Sequence, residues 1–219
     1  MKIQIENITK RFKRHEVLSN ISFNMESGNV YGFCGYNGSG KTMLMRAVCG
    51  LLNLDSGSIV IDGKQMKKDF DFPSELGFLI ENPAFLDDYS GFENLHFLTG
   101  IKNKVDDEKI RDTLVRVGLN PDDKRKYKKY SLGMKQRLGI AAAIIEEPEL
   151  LVLDEPTNAL DTEGVRMVKE IIKEEKNKNT LVILACHDKL FLDEVSDVFI
   201  EIEYGKIKSI ERNQQNEEK

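Results

Sequence analysis

The sequence lacks the features of a secreted or membrane-spanning protein. It has only three cysteines, Cys34, Cys49 and Cys186, an odd number that suggests neither a disulfide framework nor a metal cluster. The longest apolar run, residues 181–186, is far shorter than the roughly 20 residues of a spanning helix. Residues 1–10 contain no apolar signal core. We therefore expect a cytoplasmic protein.

Positive charge is not in excess either. The net charge of −5 argues against a general nucleic-acid binder. Apolar residues make up 40% and charged residues 32% of the chain, a balance expected of a soluble folded protein. A length of 219 residues suffices for one large domain or for a core with one insertion. Residues 212–219 are polar throughout, which predicts a frayed tail.

The apolar pattern predicts a chain in which strands and helices alternate. Short alternating stretches predict strands within residues 2–23, and another strand is predicted at 58–61. Another strand is predicted at 30–34, and continuous apolar runs predict buried parallel strands at 150–153 and 180–186. Helical spacing occurs at 41–52, 92–98, 107–117, 134–145 and 162–176. Since strand signals fade between about 82 and 146, we expect a helical insertion in an α/β core.

A glycine-rich loop follows the predicted strand 30–34 and precedes the predicted helix 41–52. Residues 35–42 fit the phosphate-binding pattern G-x-x-x-x-G-K-[ST] in full, in the strand–loop–helix context that confirms it. Backbone N–H groups and the helix dipole would bind phosphate oxygens, Lys41 would reach the β and γ phosphates, and Thr42 would ligate Mg²⁺. The predicted nucleotide contacts are Tyr36, Asn37, Gly38, Ser39, Gly40, Lys41, Thr42 and Met43.

Two carboxylates end the buried strand predicted at 150–153. Asp154 would hold Mg²⁺, directly or through water, because ligands of α/β sheets bind at the carboxyl ends of the strands. Glu155 could accept a proton from the water that attacks the γ-phosphate. An acidic strand end alone would be ambiguous, but together with the phosphate-binding loop it predicts a nucleotide hydrolase.

The segment at 130–137, Tyr-Ser-Leu-Gly-Met-Lys-Gln-Arg, resembles the LSGGQ signature of the ABC ATPase family. It departs from the family pattern at Leu132, where glycine is usual, and at Met134, where glutamine is usual. Ser131 can cap a helix built from 136 to 145, with its hydroxyl, the Gly133 N–H and the helix dipole facing a phosphate. In the family, that phosphate belongs to ATP held by the other subunit. The alternative is a capped helix without a ligand.

The resemblance covers residues 3–207 and implies an α/β fold: a P-loop NTPase core, an ABC-type antiparallel β segment and an inserted helical subdomain. We expect one domain over 1–211, with its core at 1–81 and 147–211 and the helical subdomain at about 82–146. The polar tail is 212–219.

The resemblance also assigns roles to three residues outside the main motifs. Phe12 matches the aromatic residue that stacks on adenine, although such a residue can be simply a half-buried strand residue. Asp161 matches a residue that helps bridge the two subunits, or it merely caps the next helix together with Thr162. His187, at the end of the strand predicted at 180–186, matches the switch histidine that contacts the γ-phosphate.

Glu81 occupies the position of a loop that normally carries glutamine in the family. Its carboxylate can approach Mg²⁺ and the attacking water, which makes Glu81 a candidate catalytic and metal-binding residue; the alternative is an exposed loop acid. The stretch 80–85, together with the Ser-Leu-Gly-Met-Lys signature, is similar to the bacitracin-resistance and lantibiotic-immunity branch of ABC exporters. A basic run at 124–129 either is a solvated loop, the more common case, or contacts anionic lipid or a partner.

The resemblance implies the ATP-hydrolysing subunit of an exporter. Two copies, or the chain and a homologous subunit, would close head to tail on ATP and Mg²⁺, and a separate transmembrane permease would carry the cargo. The protein would lie on the inner face of the cell membrane and bind no nucleic acid. An ABC ATPase acting on ribosomes or DNA is the alternative, although such proteins usually carry two cassettes or long coiled-coil insertions. GTPase-like matches at Asn103 and Asp161 occur in reversed order, and we treat them as accidental.

Overall fold

The computed structural model describes residues 1–102 and 104–213. Asn103, from the GTPase-like match, and residues 214–219 of the polar tail lie outside the described residues. The strands are β1 (Lys2–Phe12), β2 (His15–Glu26), β3 (Val30–Cys34), β4 (Ser56–Ile61), β5 (Lys64–Gln65), β6 (Leu76–Leu79), β7 (Leu150–Asp154), β8 (Leu181–Ala185), β9 (Val198–Glu203) and β10 (Lys206–Arg212). The helices are α1 (Lys41–Val48), α2 (Gly91–Gly100), α3 (Asp107–Arg116), α4 (Leu132–Ile144), α5 (Thr162–Asn177) and α6 (Lys189–Val195), with a short 3-10 turn at Tyr127–Lys129.

Four strands near the N-terminus form an antiparallel sheet in the order β2-β1-β4-β5. In β1, Ile3, Ile5 and Ile8 are buried, and in β2, Ile21 and Met25 are buried. This alternation places one face of the sheet on the core and the other in solvent. The sheet is the antiparallel β segment predicted from the family resemblance.

Six strands form the central sheet in the order β10-β9-β3-β8-β7-β6. The pairs β6–β7, β7–β8, β8–β3 and β3–β9 are parallel, and β10 joins the edge antiparallel to β9. All residues of β7 and β8 are buried, as expected of central parallel strands that read as continuous apolar runs. The carboxyl ends of β3, β7 and β8 therefore meet at one edge of the sheet.

Helices α2, α3 and α4 lie between residues 82 and 146, where the sequence predicts a helical insertion. Ser90 and Glu93 form a capping box at the start of α2. Helix α4 contacts β6 and β7, and its Leu138 shares a buried cluster with Leu151 and Leu153 of the sheet. The helical segment therefore shares a hydrophobic core with the sheet.

Element boundaries differ from the sequence expectations where glycines or non-local pairing decide them. Helix α1 ends at Val48 and not at residue 52, because Gly50 has a φ of 75°, which a helix cannot contain. The tail begins later than predicted, since Arg212 belongs to β10 and Asn213 donates to the carbonyls of Asp193 and Ser196. The sequence analysis missed β5, β6, α6, β9 and β10.

The predicted α/β class is confirmed. Within the two described ranges, none of the helices is both long enough and apolar enough to cross a membrane.

Candidate nucleotide site

The loop between β3 and α1 has a backbone that only glycine tolerates at two positions. Gly35 and Gly40 have φ values of 142° and 114°. A Cβ atom at Gly35 would lie 2.2 Å from the carbonyl oxygen of Ile202, and one at Gly40 would lie 2.8 Å from that of Val17. Side chains at these positions are excluded, so the loop keeps the tight curvature in which successive N–H groups can face a phosphate.

The start of α1 carries an unusual set of polar groups. Lys41 is buried, and its Nζ donates to the carbonyl oxygens of Gly35 and Tyr36 at 2.7 and 3.2 Å. The Oγ of Ser39 is buried and has no hydrogen-bond partner among the described residues. Because buried polar groups are normally paired, these contacts fit a phosphate that would accept from the Lys41 ammonium and the Ser39 hydroxyl.

Thr42, in the first turn of α1, contacts Asp154, the last residue of β7. The Thr42 hydroxyl donates to Oδ2 of Asp154 at 2.6 Å. Burial raises the pKa of Asp154, and the hydrogen bond from Thr42 opposes that shift. A hydroxyl and a carboxylate side by side supply the hard oxygen ligands that Mg²⁺ prefers, so this pair fits the predicted metal contacts.

Glu155 follows β7 and lies against the end of β8. Its backbone has a φ of 49°, and its N–H donates to the carbonyl of Ala185 at 2.8 Å. Its Oε2 is 2.7 Å from Nδ1 of His187, the residue predicted to be the switch histidine. The two side chains that the sequence places 32 positions apart are thus in direct contact.

Most of these groups border one cavity of about 580 Å³, whereas His187 borders a second, neighbouring cavity. Of the predicted nucleotide and catalytic residues, the cavity is lined by Phe12, Asn37, Gly38, Gly40, Lys41, Thr42, Met43, Glu81, Asp154 and Glu155. Phe12 lies at the end of β1 and is 47% exposed, and the Lys10 ammonium lies over its ring, 5.4 Å from the centroid. Tyr36 instead turns towards Tyr204, with the ring centroids 5.3 Å apart and its hydroxyl accepting from the Tyr204 N–H.

Gln136 also lines the cavity, and the sequence analysis gave it no site role. It is buried, and its Nε2 donates to the carbonyl oxygens of Glu155 and Pro156 at 3.0 and 3.1 Å. Helix α4 is thereby tied to the backbone that carries the candidate proton acceptor. The partners are about 20 residues away in sequence, so no local pattern indicates the contact. Val17, Asn82 and Asn158 are further lining residues that the sequence analysis did not assign to the site.

Glu81 lies at the cavity but its carboxylate is engaged elsewhere. It has a φ of 60° and forms an ion pair with Arg46 of α1, with Oε1 2.7 Å from Nη2. Its side chain is 59% exposed. The contact with Arg46, a residue that the sequence analysis missed, links the loop after β6 to the helix of the phosphate loop. A metal or catalytic role for Glu81 stays a prediction.

Comparisons with known proteins decide the family. Residues 18–158 match the model of the ABC transporter family. The chain belongs to this family. The match spans the phosphate loop, Glu81, the signature and Glu155, whereas Asp161 and His187 lie beyond its end.

Curated relatives of the ABC protein match it over nearly all of its length. It is 45% identical to an uncharacterized ABC transporter ATP-binding protein, YybJ of Bacillus subtilis, over 96% of each chain. It is 36% identical to the lantibiotic transport ATP-binding protein SrtF of Streptococcus pyogenes, over 94% of this chain and 88% of that one. It is 35% identical to the bacitracin transport ATP-binding protein BcrA of Enterococcus faecalis, over 90% and 64%. The predicted resemblance to the bacitracin and lantibiotic branch is confirmed.

Solved structures share the fold of the ABC protein. A dimeric ABC transporter cassette, MJ0796, in a post-hydrolysis state with ADP and phosphate, superimposes with a TM-score of 0.87 at 20% identity, over 97% of this chain and 99% of that one. The family match and this fold confirm the predicted class, an ABC ATPase.

The signature of the ABC protein is built at the start of α4; its Gln136 lines the 580 Å³ cavity, whereas Ser131 and Gly133 are not among the lining residues. The Ser131 hydroxyl accepts from the N–H of Met134 at 3.2 Å, and the helix begins at Leu132, before the starts predicted at 134 from the apolar spacing and at 136 for the capped helix. The difference follows from this capping bond, which starts the helix directly after Ser131. The Leu132 side chain is 74% exposed, so the unusual leucine faces outward.

The signature segment around Gly133 lies against the loop that leads to Asp161. A Cβ atom at Gly133 would be 2.9 Å from the carbonyl oxygen of Ala159. Asp161 accepts from the Gly164 N–H at 2.9 Å, as a helix cap, and pairs with Arg137 at 3.2 Å. Within the described part of the chain, Ser131, Gly133 and Asp161 are not among the residues that line the cavity. Both predicted roles of Asp161, cap and bridge, remain compatible with this position.

Proposed function

We propose that the chain is the ATP-hydrolysing subunit of an ABC exporter and powers a separate membrane permease. The observation that carries the proposal is the convergence, in one cavity, of a phosphate loop, the Thr42–Asp154 pair and Glu155, which is in contact with His187. Those groups match the needs of phosphoryl transfer, which are phosphate binding, charge neutralisation and a positioned proton acceptor.

The phosphate loop would bind ATP through its backbone N–H groups and Lys41. In the described structure Lys41 Nζ donates to two carbonyls of its own loop, so binding requires the ammonium to exchange these for phosphate oxygens. Phe12 would stack on the base, since its ring borders the cavity at the end of β1. Thr42 and Asp154 would hold Mg²⁺, which supplies positive charge next to the phosphate oxygens.

Glu155 would accept a proton from the attacking water. Its side chain is 22% exposed, so it is held at the cavity wall yet can be reached by water. His187 contacts Oε2 through Nδ1, which orients the carboxylate and leaves the other ring nitrogen available for a phosphate oxygen. The close contact of the two residues supports their joint action on the same water and phosphate.

A second subunit would complete each site. Ser131 and Gly133 stand at the exposed start of a helix, whose N–H groups and dipole suit a phosphate, but they lie apart from the cavity of their own chain in the described residues. Head-to-tail closure of two subunits would bring this helix end to the ATP of the other subunit. The cassette dimer of MJ0796 supports such an arrangement as an analogy of fold.

The membrane partner would be a separate permease at the inner face of the cell membrane. The names of SrtF and BcrA refer to lantibiotic and bacitracin transport, which supports an antimicrobial or amphipathic peptide as cargo. Glu81 and the helical subdomain at about 82–146 would pass closure to the permease, because the Glu81–Arg46 pair joins that segment to α1. The core of the single domain would comprise 1–81 and 147–211.

Co-purification tests the proposal. A tagged Glu155→Gln chain, expressed in its native cell and solubilised from membranes with ATP, is expected to retain a multi-pass membrane protein encoded separately. Lys41→Ala, which should bind ATP poorly, serves as the matched control. Recovery of ribosomal proteins or DNA-repair proteins in place of a membrane protein would contradict the exporter assignment.

A further inference from the structure

At the carboxyl ends of β7 and β8, the thiol of Cys186 lies beside the carboxylate of Glu155 and the ring of His187. Glu155, Cys186 and His187 each offer a ligand atom, namely a carboxylate oxygen, Sγ and a ring nitrogen, and these atoms all lie within 4.8 Å of one another. They come from the ends of two adjacent parallel strands, β7 and β8. None of the roles proposed above for ATP hydrolysis uses Cys186.

A small metal ion could bind here if the ligand atoms moved modestly. Ligand bonds of about 2.0–2.3 Å in tetrahedral zinc sites place neighbouring ligand atoms roughly 3.3–3.8 Å apart. Nδ1 of His187 and Oε2 of Glu155 are now 2.7 Å apart, as a shared proton requires, so a metal would have to separate them slightly. His187 can move in this way because its side chain is 68% exposed.

Cys186 is almost fully buried, but it borders a second cavity, which also touches the phosphate loop. This second cavity, of about 860 Å³, is lined by Cys186, His187, Cys34 and Tyr36 among others. Sγ of Cys186 lies 3.4 Å from the N–H of Asp188 and 3.5 Å from Oγ1 of Thr157, which hold the sulfur in place. A metal therefore has both an entry path and a fixed thiol ligand, as a site requires.

We propose that Glu155, Cys186 and His187 form a binding site for a thiophilic divalent cation of the zinc type, which holds the catalytic carboxylate and histidine in an inactive arrangement. The metal takes the place of the proton between Nδ1 and Oε2. The neutral imidazole then carries its proton on Nε2, and the Cys186 thiol releases its proton to water as the sulfur–metal bond forms. Water fills the fourth position, as in zinc sites with three protein ligands.

The ligand set distinguishes this site from the Mg²⁺ site. Mg²⁺ requires near-octahedral oxygen ligands, which Thr42 and Asp154 supply, whereas a thiolate and an imidazole select zinc-like ions. Glu155 cannot bind this cation and accept a proton from the attacking water at the same time. Binding of the cation is independent of the proposed ATPase function, while the inhibition rests on it.

Cobalt absorption tests the site without any assay of activity. Reduced, metal-free protein without nucleotide is titrated with Co²⁺, whose bond to a thiolate absorbs in the near ultraviolet. We expect a band that saturates at one Co²⁺ per chain and disappears when Zn²⁺ is added. Cys186→Ser, which keeps an oxygen donor near Thr157 and Asp188, should lose the band and weaken Zn²⁺ binding by at least about 100-fold.

Cys34→Ser is the matched control. Cys34 follows the same edge on β3 and lines the same cavity, but its Sγ donates to the carbonyl of Ile200 at 3.6 Å and is not part of the ligand cluster. This variant should keep the band. A band that persists in Cys186→Ser, or wild-type protein that shows no thiolate band, would overturn the proposal.

His187→Gln gives a second reading should Cys186→Ser fail to fold. Its exposed side chain can be replaced without loss of the fold, and the band should weaken or shift as the imidazole ligand is removed. In the activity assay, Zn²⁺ should inhibit wild type and Cys34→Ser more strongly than Cys186→Ser. A chain that binds Co²⁺ as expected but hydrolyses no ATP would contradict the proposed function and leave the metal site standing.

Discussion

The phosphate-loop edge and the signature helix differ in how complete each is within one chain. At the edge, side chains from the start of α1 and from the ends of β7 and β8 already contact one another or the loop; they are Lys41, Thr42, Asp154, Glu155 and His187. At the signature, Ser131 contacts its own helix, and Leu132 is exposed. The difference indicates that the fold preorganises the phosphate-loop edge, whereas the start of the signature helix is left exposed in the described structure.

The largest expected effect on ATP turnover comes from replacing Glu155 at the preorganised phosphate-loop edge. Glu155→Gln should lower ATP turnover by about 10²-fold or more, since it removes the proton acceptor and spares the phosphate and Mg²⁺ contacts. ATP affinity should stay close to that of wild type, and the variant should accumulate as an ATP-dependent dimer. Single-turnover hydrolysis and light scattering measure both. Turnover near that of wild type would remove Glu155 from the mechanism.

Subunit mixing tests whether the signature acts across a dimer. Lys41→Ala should inactivate the phosphate loop of its own chain, and Ser131→Arg should fill the phosphate space offered to the other chain, so each variant alone should be nearly inactive. Random mixing makes half of the dimers mixed, each with one intact site, so roughly a quarter of all sites are restored.

The steady-state ATPase activity of the mixed variants measures how many sites are restored. If both sites must be intact, recovery would be smaller, and a nucleotide-dependent mixed dimer would be the readout. No recovery and no mixed dimer, where wild type dimerises, would show that Ser131 acts within its own chain or not at all.

Loss of the Glu81–Arg46 ion pair should have an intermediate effect, because the pair joins α1 to the loop that precedes the helical segment. Glu81→Ala should lower kcat on the order of tenfold in the presence of the permease, with little change in nucleotide Kd. Arg46→Ala is the matched partner variant. Since the pair is partly exposed, neither change should cost more than about 1 kcal/mol of stability. Unchanged turnover in Glu81→Ala would identify Glu81 as an exposed loop acid.

Gln136 connects the signature helix to the backbone after β7, and its replacement should affect stability more than nucleotide binding. Gln136→Ala leaves the carbonyls of Glu155 and Pro156 without their side-chain donor and should cost about 1–3 kcal/mol. For a chain of this size, each kcal/mol lowers Tm by about 2–4 °C. Lys129→Ala, at an exposed position, is the control and should leave Tm unchanged in the same thermal melts. Equal Tm values for Gln136→Ala and Lys129→Ala would mean that the hydrogen bonds of Gln136 do not stabilise the contact between α4 and the backbone after β7.

Local patterns predicted much of the fold. Central strands β3, β7 and β8 were predicted within a residue or two, because buried parallel strands are continuous apolar runs. Strand β6 was missed since it is short and carries an exposed Phe78 at the sheet edge. Strands β9 and β10 were missed, although β9 alternates, because their polar residues resemble the tail that follows.

The sequence by itself determined the family, the phosphate loop and the two carboxylates after β7, because each is a run of neighbouring residues whose chemistry depends on local order. The tertiary structure alone decided that His187 contacts Glu155, that Arg46 engages Glu81, and that Gln136 holds the backbone after β7. These partners are distant in sequence, and they meet only because parallel strands align their carboxyl ends at one edge and α4 packs against that edge. The thiol of Cys186 reaches the same edge by the same alignment.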